Sequence, residues 1–159
     1  RMAKAGIICS VQPQHLALYP RFEDEEYAGV VGPIRTKNLW AFKSMLDNGI
    51  HLAFGTDFPV VTYDTRLSLH RAVTRKYPDG QPENGWNPEQ KLTLWDALYA
   101  YTYGGAYKVG KENVLGSLEC GKLADVVVWD RNLFDIPADD ILNSGVALTV
   151  CDGHIVYEG

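Results

Sequence analysis

Hydrophobic and polar positions fall into two textures along this chain. Two short, continuous apolar runs, GIICSVQ (6–12) and HLAFGTD (51–57), predict strands buried on both faces. Pro13 ends the first, since proline has no N–H for a sheet ladder. The polar, aromatic stretch from there to about Arg35 predicts a loop, and loops of that length in compact domains usually carry function. Thr36 is then expected to cap a helix with Leu39, Trp40, Phe42, Met45 and Leu46 on one face, stopped by Asn48-Gly49. Residues 65–76 predict a second helix, with Leu67, Leu69, Ala72 and Val73 as its apolar positions. A loop rich in Pro, Gly and Asn is expected over 77–91. Thr93 and Asp96 have the spacing of a capping box ahead of Leu94, Ala97, Leu98 and Tyr101.

From Gly116 the pattern turns to β. LADVVVWD (123–130) predicts a strand, and PADDILN (137–143) a short helix or turn. VALTVCDGHIVYEG (146–159) predicts a hairpin whose Asp152-Gly153 pair suits a type I′ turn. No internal repeat or low-complexity segment interrupts this order.

Buried strands separated by amphipathic helices imply parallel βα units, and in such architectures ligands bind beyond the carboxyl ends of the strands. His15 and Asp57 lie just past those ends. A carboxylate ending a buried strand is, from spacing alone, most simply a helix or turn cap; the functional reading is a metal ligand or general base. His15 suits a metal ligand or a substrate contact, although a loop histidine taken alone is more often solvated. His51 and His70 are expected to be structural, and His154 to lie on the surface. No HxH, HExxH, GxSxG or phosphate-cradling glycine motif is present.

Composition narrows the field. The 159 residues are 46% hydrophobic and 22% charged, an ordinary globular balance in the size range of one domain. A formal net charge of -5 gives no electrostatic case for nucleic acid or an anionic membrane surface. No run approaches the roughly 18 apolar residues that span a bilayer. The N-terminal RMAKAGIICSVQP has no small-residue cleavage site and is expected to be an internal boundary. Three cysteines without CxxC spacing indicate neither a disulfide framework nor a zinc ribbon, and a cytoplasmic setting is expected.

Several stretches together resemble the amidohydrolase superfamily, in its amidohydrolase-3, N-substituted formamide deformylase-like branch. They are GIICSVQPQH, SMLDNGIHLAFGTDFPV, GWNPEQKLTLWDAL, AYTYGGAY, GSLECGKLADVVVWDRNLFDIPADDI and VCDGHIVYEG. The resemblance covers essentially the whole chain and implies an α/β fold: strands 7 and 8 of a (β/α)8 barrel within residues 1–114, then part of a small β-sandwich within 115–159. It implies that Asp57 is the aspartate at the end of the last barrel strand, which touches the catalytic metal and shuttles a proton. His15 matches a substrate-side contact, and Asp125 and Asp130 match structural positions. The paired histidines of the first strand and the ligands of the middle strands have no counterpart here. The resemblance therefore implies the C-terminal portion of a metal-dependent hydrolase of amide or N-formyl C–N bonds, inactive alone. One or two divalent ions, zinc being expected, would belong to the complete enzyme rather than to this chain alone. Its partner would be a small-molecule amide or formamide, and a homo-oligomer is compatible with it. The rival from another class is a non-catalytic α/β module that binds a small molecule or partner.

Overall fold

The computed structural model describes residues 1–159. Strands β1 (Cys9–Val11) and β2 (Leu52–Phe54) pair in parallel, Cys9 opposite Leu52 and Val11 opposite Phe54. Both expected strands form, but only three residues of each apolar run join the ladder, and β1 is half-buried with Ser10 exposed rather than buried on both faces, because no element covers its outer edge. All of β2 is buried. Helices α3 (Phe42–Asp47), α5 (Leu94–Tyr101) and α6 (Tyr103–Lys108) pack against it, which is why it tolerates no polar side chain.

The sequence pattern does not predict α6, because paired glycines weaken a helix. Packing supplies the reason it forms. A Cβ on Gly104 would stand 2.1 Å from the Leu52 carbonyl oxygen, so only glycine lets α6 lie directly on β2. The capping box of α5 forms as expected, with Thr93 and Asp96 each accepting the other's backbone N–H.

Two expectations are corrected between the strands. The helix expected to follow Thr36 begins at Phe42 instead. Thr36 closes the short helix α2 (Pro33–Thr36), its hydroxyl donating to the Gly32 carbonyl at 2.8 Å. Trp40 then takes a left-handed φ of 47°, breaking the helical path. The preceding stretch is not a plain loop. It holds 3₁₀ turns at Pro13–Ala17 and Phe22–Asp24 and the helix α1 (Tyr27–Val31). It folds because it has its own small core: Leu16 and Ala17 are buried with Tyr77 and Trp86, and Phe22, Tyr27, Leu39 and Trp40 close around them.

Helix α4 (Thr65–Thr74) matches its expected span to within two residues. Its Leu69 and Ala72 join Phe42, Leu52 and Phe54 in the main core. Beyond α6 an antiparallel sheet runs in the order β3 (Val126–Trp129), β4 (Val146–Cys151), β5 (His154–Glu158). Asp152 and Gly153 both have positive φ, 48° and 78°, as a type I′ turn requires. Asp125 accepts the Asp152 backbone N–H at 2.8 Å and so steadies that turn. Every residue of β5 is exposed, including Ile155 and Val156. No helix is long and apolar enough to cross a membrane.

The 3₁₀ turn Ala138–Asn143 docks on α4 through a polar contact. His70 is buried, with Nδ1 2.7 Å from Arg71 Nη1 and Nε2 3.2 Å from Asp139 Oδ1. A guanidinium can only donate, so Nδ1 accepts and Nε2–H donates to Asp139. Burial first, then the Arg71 charge, lowers the His70 pKa, against the opposing pull of Asp139. The folded state therefore disfavours the imidazolium more than the unfolded chain does. Stability from this contact should be complete above the unfolded pKa of about 6.5 and be lost as pH falls through the lowered folded value. Melting temperature should drop between pH 7.5 and 5, and His70→Gln should flatten that part of the profile. An unchanged slope in the variant would assign the acid sensitivity elsewhere.

Candidate functional site

The parallel register sets the site. Val11 and Phe54 are partners at the carboxyl ends of their strands, and the Gly55 N–H continues the ladder to the Val11 carbonyl at 3.2 Å. His15, four residues past Val11, and Asp57, three past Phe54, therefore emerge at one end of the sheet. His15 sits in the 3₁₀ turn that begins at Pro13, where proline's fixed φ suits the first helical position. Leu16 anchors that turn from below, being completely buried beside Tyr77 and Trp86.

Asp57 takes a left-handed φ of 63°, a conformation that Asp and Asn tolerate better than other non-glycine residues. Its backbone carbonyl accepts the Val60 N–H at 2.8 Å, closing a turn over Phe58-Pro59. Its carboxylate oxygens accept no hydrogen bond, and Oδ2 stands 3.8 Å from His15 Nε2. That nitrogen is buried and has no hydrogen-bond partner. The Asp57 side chain is 53% exposed and that of His15 24%. The structure thus brings the two candidate residues face to face, just beyond direct hydrogen-bonding range.

The capping that spacing allowed for Asp57 belongs to another residue. Asp64 accepts the Arg66 N–H at 3.0 Å and caps α4. Its carboxylate also pairs with the Arg66 guanidinium, which lowers its pKa through that side-chain bond. An aspartate just ahead of the periodic Leu67 and Leu69 is a legible N-cap signal. Gln14 is the other residue that sequence reasoning passes over. Its amide donates to the carbonyls of Thr62 and Asp64, both at 3.1 Å, tying the His15 turn to the Asp57 loop. The remaining histidines stay apart from the site: His51 packs tilted against Tyr107 with ring centres 4.6 Å apart, His70 is buried on α4, and His154 is exposed on β5.

The donor set is short for a metal. Catalytic zinc usually has three protein ligands and structural zinc four. No group of three or more His, Cys, Asp or Glu side chains gathers in this chain. Asp57 and His15 fit one corner of a metal site and do not make a whole one.

An imidazole and a free carboxylate thus lie at the exits of adjacent parallel strands, the end where α/β proteins usually bind ligands. A profile of the amidohydrolase family matches residues 1–157, and the chain belongs to that family. Protein LONG AFTER FAR-RED 3 of Arabidopsis thaliana is 32% identical over 158 residues, 99% of this chain and 26% of that protein. The N-substituted formamide deformylase of Arthrobacter pascens is 32% identical over 120 residues, 76% of this chain and 22% of the enzyme. The zinc-complexed atrazine chlorohydrolase TrzN of Arthrobacter aurescens superposes with a TM-score of 0.60 at 25% identity, over 98% of this chain and 32% of that one. The chain spans about a quarter of the length of the curated relatives it matches.

Proposed function

We propose that these residues are the C-terminal part of a metal-dependent hydrolase acting on the C–N bond of a small amide or N-formyl compound. In this reading β1 and β2 are strands 7 and 8 of a (β/α)8 barrel, residues 1–114 close that barrel, and residues 115–159 belong to a small β-sandwich. The free outer edges of β1 and β2 and the exposed β5 support it, since unpaired edges and bare apolar faces call for covering chain. The observation that carries the reading is the Asp57 carboxylate, unbonded at the exit of β2 and facing an unpartnered His15 Nε2.

A divalent ion, zinc in the TrzN neighbour, would supply Lewis acidity and acidify water near neutral pH. The ligands missing here would come from the rest of the longer protein. Asp57 takes the proton of the water that attacks the carbonyl carbon, then gives it to the nitrogen as the C–N bond breaks. One water is consumed, and an acid and an amine leave. His15 meets the substrate from the neighbouring strand and helps to select it, and residues 16–35 contribute to the wall of the site. Loops at this end of a barrel set specificity while the strands hold the scaffold.

His15→Ala in the full-length protein should therefore reorder a panel of N-acyl and N-formyl substrates while metal content, read by elemental analysis, stays near that of the parent. Loss of the metal would make His15 a ligand, and an unchanged panel would remove it from the site.

A further inference from the structure

We propose that the half-open cleft between the Pro13–Ala17 turn, the 57–64 loop and α4 is a binding site for a small carboxylate, gripped by Arg71. The cavity holds about 180 Å³ and is lined by Gln14, Leu18, Val61, Leu67, Arg71 and Pro78. That space equals roughly six waters at their liquid volume of about 30 Å³ each, enough for an acid of a few carbons.

Arg71 is what singles the cavity out. It is only 4% exposed, yet its sole side-chain hydrogen bond is the one to His70 Nδ1, and it forms no ion pair. The other buried or half-buried arginines are satisfied: Arg75 by the carbonyls of Leu39, Trp40 and Trp86, and Arg66 by Asp64 and the Ser144 carbonyl. Asp79 lies near enough to favour the Arg71 charge but not to form an ion pair with it, so much of the burial cost stands, and an anion entering the cavity offsets it. The free donors of a guanidinium form a planar fork that matches the two oxygens of a carboxylate.

The rest of the lining sets the ligand's class. Gln14 is itself buried, and its two carbonyl partners, Thr62 and Asp64, fix which end of the amide carries nitrogen. Its Oε1 is left without a protein donor and can accept an N–H or O–H from the ligand. Leu18, Val61, Leu67 and Pro78 form apolar walls for a short hydrocarbon. A compact organic acid satisfies all three surfaces, whereas inorganic phosphate would leave the walls unused. The site is independent of the hydrolytic reading, because binding is read directly.

The test titrates propionate into the full-length protein by calorimetry, with propionamide as the neutral isostere and phosphate as a second anion. Propionate should bind saturably at one equivalent, with propionamide and phosphate at least about tenfold weaker. Arg71→Gln should lower propionate affinity about tenfold or more. Leu18→Trp should abolish binding by plugging the mouth from a half-exposed position, and it decides the matter if the Arg71 variant fails to fold. In the parent enzyme, propionate that competes with substrate marks the site as one for the acid product, and non-competitive inhibition marks a separate effector. Either pattern supports the site. Absent propionate binding, equal binding of propionamide, or affinity untouched in the variants would overturn it.

Discussion

Asp57→Asn in the full-length protein is expected to cut turnover by about 100-fold to 10,000-fold, the usual worth of general acid–base catalysis, with little change in substrate binding. The substitution preserves volume and the left-handed backbone, which Asn adopts as readily as Asp. An alanine would add strain at φ 63° and confuse the outcome. Because the carboxylate accepts no hydrogen bond within the chain, stability should barely move. A large fall in kcat with an unchanged melting temperature would therefore isolate proton transfer. Full activity in the variant would reduce Asp57 to a turn residue and would remove the strongest support for hydrolysis at this site.

The parts of the fold visible in the sequence are those governed by local rules. The parallel strands, α4, the Thr93–Asp96 capping box and the Asp152-Gly153 hairpin follow from apolar period, side-chain capping and turn chemistry. His15 and Asp57 were legible for the same reason, since residues just past paired parallel strands fall at the end where such sheets bind ligands. What escaped depends on partners distant in sequence. Helix α6 exists because Gly104 touches the Leu52 carbonyl, 52 positions away, and the 13–36 segment folds because Tyr77 and Trp86 receive it. The cap of α4 is legible too, since Asp64 stands just ahead of the periodic Leu67 and Leu69. Buried cations are the hardest class. Nothing in HRAVTRK announces that Arg71 faces a cavity while Arg75, four residues on, is wholly enclosed.

Arg75→Met should be the most destabilising single change in the body of the molecule, by about 3–5 kcal/mol. The Arg75 side chain has no exposed surface, and burial lowers its pKa to about 10, still well above neutrality. Its guanidinium donates to the Trp86 carbonyl, to the Trp40 carbonyl at 2.9 Å and to the Leu39 carbonyl at 3.2 Å. It also lies 5.9 Å from the centre of the Phe42 ring, a cation–π distance. Methionine fills much of the volume but strands the Leu39 and Trp86 carbonyls, while that of Trp40 keeps the Phe42 N–H at 2.8 Å; each stranded carbonyl costs roughly 1–3 kcal/mol when buried without a partner and less where water can reach it. Arg75→Lys keeps the charge without the fork and should fall between the two. The loss should also reach the site. Trp86, held by Arg75, packs with Leu16, and Leu16 anchors the turn that carries His15. Urea unfolding of the full-length protein reads the first effect, and the substrate panel used for His15→Ala reads the second. If Arg75→Met unfolds at the same urea concentration as the parent, the two stranded carbonyls have found water, and the clamp between the 39–42 corner and Trp86 contributes nothing to the fold.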